Sequence, residues 1–322
     1  MKDQSAAALA GNNGFSLITN EKLIQLYTSM VQCRQIEKRL RELLVRGNRC
    51  NPAIGLEATI QAAEKVKTEG GGGFNPRVKP TESAPALAAE EHFLPVSPDF
   101  PSLSAATIAG VTIDALPEDT VVSIHRDLAV EFLRGASLEN CFQSLLAGAA
   151  FPTPASQFKV ATAAARMNVK TGNGKIAVVF SGGGKLPISL WQQPLTQAQA
   201  GHLPIIFVLQ NASLAELEGR GETAKASRKA NATSVPSFAV DANDVVAVYR
   251  AATEALTHAR KGNGPTIIEC IGENARHSDP IAGMETYLSR KGLFSDEIKF
   301  EIAASFARQL DAGVAAAQAA IH

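Results

Sequence analysis

Three glycines and a lysine, Gly182, Gly183, Gly184 and Lys185, directly follow an apolar segment at residues 176–181. Glycines let the backbone approach an anion closely, and the N–H groups at the start of a following helix favour a phosphate. The pattern is not a Walker A loop, because Leu186 stands where a Ser or Thr would contact Mg²⁺. We predict an anion-binding turn here, although a tight turn without a ligand explains the motif, taken alone, at least as well.

Composition and charge argue against several classes of function. The 322 residues carry 31 Lys and Arg against 31 Asp and Glu, which disfavours electrostatic binding of nucleic acid or an anionic membrane. The four Cys form no CxxC pair, so we interpret them as free thiols in a reducing compartment. No apolar run is long enough for a membrane span or a signal peptide. We therefore expect a cytoplasmic protein with no nucleic-acid or membrane partner.

Short apolar segments alternate with helical patterns over much of the chain. Strands, mostly buried, are predicted at residues 120–124, 176–180, 204–209, 237–240 and 266–270. Helices are predicted at 23–45, 138–147, 159–168 and 243–260, with Gly47 ending the first and Asn243 capping the last. This alternation predicts an α/β fold with a mostly parallel sheet and helices on both faces. Its ligand site is expected beyond the carboxyl ends of the strands.

The domain organisation is expected to be simple. We predict a flexible N-terminus at residues 1–20 and a single domain at 21–322. A Gly- and Pro-rich stretch at about 68–105 has no strand or helix periodicity and is interpreted as an irregular insertion. Pro194 falls inside the helix expected after Gly184, which predicts that this helix is bent or split.

Motifs in the same order along most of residues 20–315 resemble the α subunits of the E1 component of 2-oxo acid dehydrogenases, of the pyruvate, branched-chain or acetoin type. The glycine run, the next apolar strand and Gln210-Asn211 resemble the family's cofactor motif of strand, GDG, helix, strand and NN. Further matches are IGLEA at 54–58, LPED at 116–119, VDANDVVAVY at 240–249, GPTIIE at 264–269 and the DPI, YL and KGL segments within 279–293.

The resemblance implies a three-layer thiamine-diphosphate-binding fold, with thiamine diphosphate and Mg²⁺ as cofactors and an E1 β-type subunit as partner. It also implies roles for individual residues. Asn211 corresponds to an Mg²⁺ ligand, Arg126 to the arginine of the RGHGH segment, and His277 to the histidine of a GHS segment. The implied cofactor-binding residues are Gly182, Gly183, Gly184, Lys185, Asn211 and Arg126. His277 and His125 are the catalytic candidates, although a structural hydrogen bond explains His125 more simply.

Departures from the family concentrate at this cofactor site. Gly183 occupies the place of the GDG aspartate that ligates Mg²⁺, and glycine offers no side-chain oxygen. Ala212 replaces the second Asn, and the residues after Arg126 lack the histidines of RGHGH. Disturbing only the outer-shell partners of a metal costs ~10–100-fold in affinity. The combined losses therefore predict a degraded cofactor site.

Three hypotheses stay open. The first is a non-catalytic E1 α-like protein, a pseudoenzyme with a scaffold or subunit role, which binds a β-type subunit or forms a homo-oligomer. The second is an active α subunit of a 2-oxo acid or acetoin dehydrogenase that carries out thiamine-diphosphate-dependent oxidative decarboxylation. The third is a metal-free phosphate- or anion-binding protein in which Lys185 replaces the charge of Mg²⁺.

Overall fold

The structure is a computed structural model that describes residues 18–50, 103–124, 127–147, 152–181, 188–210, 235–271 and 279–321. The chain divides into two compact units, one formed by residues 1–37 with 100–322 and the other by residues 38–99. Of the second unit, only the continuation of the first helix is described. Residues 1–17 of the predicted N-terminus at 1–20, and most of the predicted insertion, lie outside the described residues, whereas Asn20 already begins the first helix.

Five strands in the described part of the chain form one parallel sheet. They are β1 (Thr120–Ser123), β2 (Ala177–Ser181), β3 (Ile205–Gln210), β4 (Ser237–Asp241) and β5 (Thr266–Ile271), and their spatial order is β1-β2-β3-β5-β4. All four pairs of neighbouring strands are parallel. The predicted α/β class with a parallel sheet is confirmed.

The helices cover both faces of this sheet. They are α1 (Asn20–Cys50), α2 (Ala105–Thr112), α3 (Leu128–Leu133), α4 (Leu138–Leu146), α5 (Pro154–Thr171), α6 (Ile188–Ala200), α7 (Val245–Arg260), α8 (Pro280–Arg290) and α9 (Asp296–Ala319). α5 packs on β1, β2 and β3, whereas α7 packs on β3, β4 and β5. Across the sheet, the chain moves from β1 through β2 to β3 in one direction, and it moves from β4 to β5 in the opposite direction. Right-handed crossovers therefore place α5 and α7 on opposite faces.

Each face has its own apolar core. On the α5 side, Phe158, Trp191 and Phe207 form an aromatic cluster in which the Phe158 and Trp191 ring centroids are 4.8 Å apart. On the other side, α1, α2, α7 and α8 share a second cluster, in which the Tyr27 ring meets Phe294 edge-on at 5.1 Å. Burial of these apolar side chains is the main force that holds the helices on the sheet.

β4 contradicts the prediction of a mostly buried strand. β2 and β3 are buried along their whole length, but the residues of β4 alternate between exposed and half-buried. The cause is position: β5 lies between β4 and β3, so β4 has one neighbour and forms an edge of the described sheet. Its alternating pattern is typical of a strand that is covered on one face only.

Two further helix predictions were wrong, and a third was wrong in part. α1 continues through Gly47 to Cys50, because an interior glycine costs only about 1 kcal/mol and does not by itself end a helix. Asp244, not Asn243, caps α7: its Oδ1 accepts hydrogen bonds from the N–H groups of residues 246 and 247 at 2.9 and 3.1 Å. α6 is not split, since it runs from Ile188 to Ala200 with Pro194 inside it, and the predicted bend stays a prediction. Trp191 and Ala198 anchor this helix in the core on either side of the proline.

Two remaining observations concern the thiols and the membrane. Cys33, Cys141 and Cys270 are buried thiols that form no disulfide, as predicted, and the side chain of Cys50 is not among those that the structure describes. Among the helices of the described ranges, none has the length and apolar character that a membrane span requires.

Candidate functional site

The predicted site residues all follow the carboxyl ends of strands. These carboxyl ends lie together and form one edge of the sheet. Residues 182–185 follow β2, Asn211 follows β3, and His125 and Arg126 come directly after Ile124, whose N–H donates to the Phe180 carbonyl at 2.9 Å. His277 follows β5 after a short connection. Because β1, β2, β3 and β5 are parallel neighbours, this edge is where a ligand of an open α/β sheet is expected.

The candidate residues themselves lie outside the described part of the chain: His125, Arg126, Gly182, Gly183, Gly184, Lys185, Asn211 and His277. Their roles therefore stay predictions. The structure describes the last residues of the strands that precede them and the helix starts packed beside those strand ends.

The polar side chains that end β2 and β3 are already hydrogen-bonded within the protein. Ser181 is 3% exposed, and its Oγ donates to the Val208 carbonyl at 3.2 Å. Gln210 is also 3% exposed, and its Oε1 accepts from the backbone N–H of Ser104 at 2.7 Å. Buried polar groups are stabilised by such bonds and are costly to expose unpaired. These two side chains therefore belong to the scaffold of the edge.

Ser104 is a residue of this edge that the sequence analysis missed. Its Oγ donates to the Ala242 carbonyl at 2.9 Å and accepts from the Ala106 N–H at 3.2 Å, which caps α2. One serine thus ties the start of α2 to the ends of both β3 and β4. The signal was available locally, because a serine directly before the apolar run 105–112 is a helix-start pattern, but it lay inside the predicted irregular stretch.

Asp127 follows Arg126 where the family has RGHGH, and it caps a helix. Its Oδ1 accepts from the N–H groups of Ala129 and Val130 at 3.0 and 3.2 Å. Burial raises the pKa of Asp127 to about 6. The negative charges of Glu37 and Glu131 also raise this pKa, whereas the two hydrogen bonds lower it. Capping of α3 gives this carboxylate a structural role.

Cys33 on α1 lies near the same carboxylate. Burial raises the pKa of its thiol well above the usual value, and the charge of Asp127 adds to the effect. A thiol in this environment stays protonated and is a poor nucleophile. The cysteine is therefore part of the core beside the edge and is not a reactive group.

The last described residues of β2 and β3 offer no carboxylate to Mg²⁺. Mg²⁺ prefers carboxylate oxygens in a near-octahedral arrangement, whereas the last residues of these strands are Ser181 and Gln210, followed in sequence by three glycines and by Asn211-Ala212. Among the residues that the structure describes, no group of three or more His, Cys, Asp and Glu is placed to hold a metal ion.

A surface groove of about 590 Å³ lies elsewhere, along the C-terminal half of α7. Its lining includes Tyr249, Thr253, Thr257, His258 and Lys261. The end of α7 lies near the amino ends of the strands, since Arg260 pairs there with Asp119, the residue before β1. The groove is thus remote from the edge that carries the predicted site.

The part of the chain around this edge is similar to known dehydrogenase E1 components. Residues 153–273, which include β2 to β5, match the sequence model of the dehydrogenase E1 component. The α subunit of acetoin:2,6-dichlorophenolindophenol oxidoreductase of Bacillus subtilis (strain 168) is 34% identical over 99 residues, 30% of each chain. The pyruvate dehydrogenase E1 component α subunit of Acholeplasma laidlawii is 26% identical over 219 residues, 56% of this chain and 64% of that one. Over these residues the chain is similar to E1 α subunits.

The relationship covers only part of these E1 α subunits. The match to the pyruvate dehydrogenase E1 component α subunit of Staphylococcus epidermidis (strain ATCC 12228 / FDA PCI 1200), 28% identical over 158 residues, spans 43% of that subunit. A solved structure from Mycobacterium smegmatis, described as a thiamin diphosphate-dependent enzyme, aligns at a TM-score of 0.34 and 15% identity over 52% of this chain and 31% of that one. The resemblance to E1 α subunits is confirmed by the family match and the relatives, and the fold class by the parallel sheet itself.

Proposed function

We propose that this E1 α-related chain is a non-catalytic subunit that retains the α/β sheet of its relatives without their Mg²⁺ and thiamine diphosphate site. One observation carries the proposal. β2 and β3 are adjacent and in register, with Ser181 opposite Leu209, so the segments that follow them start side by side. In the segment after β2, Gly183 replaces the family's aspartate, and in the segment after β3, Ala212 replaces its second asparagine.

The affinity for Mg²⁺ that these replacements remove supports a chain without catalytic activity. Mg²⁺ sites of this kind rest on one or two carboxylates plus phosphate oxygens, and disturbing only the second shell costs ~10–100-fold in affinity. The chain lacks the carboxylate itself. The side chains of Ser181 and Gln210 do not compensate, since both are engaged in scaffold hydrogen bonds.

The relatives' description as α subunits supports a partner of the β type. In this proposal the chain keeps an α-like surface and holds or regulates a complex in which it does not itself react. The test is co-expression with a candidate β-type subunit, followed by sedimentation velocity and an assay of 2-oxo acid decarboxylation. We expect a specific complex without decarboxylation. A strictly monomeric chain would contradict the subunit role.

Decarboxylation in the same assay would instead support the active-enzyme hypothesis. Asn211→Ala is the deciding variant, because the family resemblance implies that the side-chain amide oxygen of Asn211 is a ligand of Mg²⁺. Activity of the complex that disappears in Asn211→Ala refutes the non-catalytic proposal. Lys261→Ala, on the remote α7 groove, is the matched control and leaves any activity unchanged.

A second function, metal-free binding of a phosphate at residues 182–185, is favoured by one observation. β2 ends at Ser181 and α6 begins at Ile188, so the glycines and Lys185 lie in a strand-to-helix connection, where helix N–H groups attract anions. The test is equilibrium binding of inorganic phosphate and of thiamine diphosphate in the presence of a chelator. Binding that Lys185→Ala abolishes supports this function, and unchanged binding in that variant excludes it.

A further inference from the structure

The tripeptide Gly-Asn-Gly occurs in two turns of similar build. Gly172-Asn173-Gly174 follows the end of α5, and Gly262-Asn263-Gly264 lies just beyond the end of α7. Both asparagines are exposed, and all four glycines have positive φ angles. Because glycine has no Cβ, its backbone nitrogen is open to attack by or on the side chain of the preceding asparagine. The two turns thus carry the same local chemistry in different surroundings.

That chemistry is the loss of ammonia from the asparagine side chain. The backbone nitrogen of the following glycine gives up its proton and attacks Cγ of the asparagine. A new N–Cγ bond replaces the Cγ–Nδ2 bond, and Nδ2 leaves as ammonia with one proton more. Water then opens the resulting succinimide at either carbonyl, which leaves an aspartate or an isoaspartate. The reaction is accelerated by a group that removes the glycine proton and by a group that stabilises the anion so formed.

His258 contacts the peptide group that carries this anion in the second turn. Its Nε2 lies 3.1 Å from the carbonyl oxygen of Asn263, and because a carbonyl oxygen only accepts, Nε2 is the donor. The charge of a deprotonated Gly264 nitrogen is shared with this oxygen through the resonance of the peptide bond. A donor that is already in place on the oxygen therefore lowers the free energy of the anion.

The end of α7 fixes His258 and Asn263 in this arrangement. The N–H of Asn263 donates back to the carbonyl of His258 at 3.3 Å, and the N–H of Gly262 donates to the carbonyl of Ala259 at 3.0 Å. The imidazole and the peptide that it contacts are thus joined by two hydrogen bonds. Little rearrangement is needed when the negative charge develops, which is the condition for effective electrostatic stabilisation.

His202 lies beside Gly264 and provides the base. Gly264 is buried, which limits the access of solvent to its N–H. A Cβ at Gly264 would lie 3.7 Å from Nδ1 of His202. Since a Cβ is about 2.5 Å from the nitrogen of its own residue, Nδ1 lies within about 6 Å of the Gly264 nitrogen. An imidazole nitrogen at this distance takes up a proton directly or through one water.

Asn173 has different surroundings. Its Oδ1 accepts from the N–H of Lys175 at 2.9 Å, and its Nδ2 donates to Oδ1 of Asn168 at 3.2 Å. These two bonds hold the carboxamide and oppose the rotation that brings Cγ to the Gly174 nitrogen. In the part of the chain that the structure describes, no hydrogen bond restrains the carboxamide of Asn263.

We propose that Asn263 is a site of self-catalysed deamidation, in which His258 stabilises the anion of the Gly264 peptide and His202 removes its proton. The product adds a negative charge to the α7 groove, since Asn263, His258 and Lys261 are among its lining residues. This modification site lies before β5, remote from the edge that carries the predicted cofactor site. It therefore goes beyond the proposed function and does not depend on it.

Peptide mapping by mass spectrometry measures the deamidated fraction at both asparagines while the full chain is incubated near neutral pH. In the folded chain we expect Asn263 to react at least about tenfold faster than Asn173. In urea the two rates should agree to within about threefold, because unfolding leaves only the matched local sequences and removes the oriented imidazoles.

Two substitutions test the assigned roles, with Asn173 of the same chain as the internal control. His258→Phe removes the donor. His202→Asn removes the base and tolerates the positive φ of 45° at this position. Each should slow the reaction of Asn263 in the folded chain at least about fivefold and leave the rate at Asn173 unchanged.

The same measurement separates a lost role from a lost fold. A variant in which Asn173 reacts faster is unfolded, and the wild-type rates in buffer and in urea then decide. Equal rates at the two asparagines of the folded wild type, a difference that persists in urea, or an unchanged rate at Asn263 in either folded variant would each overturn the proposal.

Discussion

Replacement of Asp119 by asparagine is expected to destabilise the fold by about 3 kcal/mol. The Asp119 side chain is fully buried. Its Oδ1 accepts from the Ile176 N–H at 3.0 Å, and its Oδ2 accepts from the Leu116 N–H at 2.7 Å and from the guanidinium of Arg260. One carboxylate thus joins the turn before β1, the start of β2 and the end of α7.

The expected magnitude follows from these bonds. Asparagine keeps the shape but presents one NH₂ group, so either the half-buried N–H of residue 116 or the buried N–H of residue 176 faces a donor instead of an acceptor. An unsatisfied buried donor costs ~1–3 kcal/mol. Loss of the negative charge leaves Arg260 unpaired, a cost of about 1 kcal/mol after discounting from the ~3–5 kcal/mol of a fully buried pair, because the Arg260 side chain is 27% exposed.

Urea unfolding followed by circular dichroism measures this difference, provided that the slope of the transition is unchanged. Glu118→Gln is the matched control. Glu118 is the neighbouring carboxylate but is exposed, so its substitution should change the free energy of unfolding by less than about 0.5 kcal/mol. An Asp119→Asn protein within 0.5 kcal/mol of wild type would refute the reasoning.

Three further predictions concern packing and pH. A Cβ at Gly110 would lie 2.7 Å from a side-chain atom of α7, whereas a Cβ at Gly283 meets nothing within 4 Å. Thermal melts should therefore show Gly110→Ala destabilised by ~1–3 kcal/mol and Gly283→Ala stabilised by up to about 1 kcal/mol. Burial raises the pKa of Asp127 to about 6, so its ionisation disfavours the folded state and stability falls as pH rises from about 4 to 6. Asp127→Asn, which still caps α3, should exceed wild type by ~1–2 kcal/mol at pH 7 and lose that advantage at pH 4 in urea titrations. Arg34 lowers the pKa of Asp279, so the stability of this pair is present above the unfolded pKa of about 3.9 and lost as pH falls through the lower folded value. The deficit of Asp279→Asn should therefore shrink below pH 4 and stay constant between pH 5 and 7.

Local sequence signals were sufficient for the strands but not for their burial. Each strand lies within one residue of its apolar run, because the run itself forms the strand. The exposure of β4 depends on β5 lying between it and β3, a fact set by chain connections and not by the residues of β4. The cap of α7 illustrates a finer limit, since Asn243 and Asp244 are both good caps and only the backbone geometry selects the second.

The candidate site shows the same division. The glycine run and Asn211 were found from their place after apolar strands, and the sheet brings the ends of those strands together. The bond between Gln210 and Ser104 joins residues 106 positions apart, so no local pattern announces it. Proline and glycine content around residues 68–105 concealed the start of α2, because composition averages over a stretch whose last two residues, Ser104 and Ala105, already form the cap and first residue of that helix.

The most direct test of the non-catalytic account is isothermal titration of the purified chain with thiamine diphosphate and Mg²⁺, repeated with a co-expressed β-type subunit. The account predicts no saturable heat in either preparation, because the β2 and β3 ends supply no carboxylate to hold the metal. Saturable binding with micromolar affinity or better that requires Mg²⁺ would contradict it and would show that other groups replace the missing aspartate.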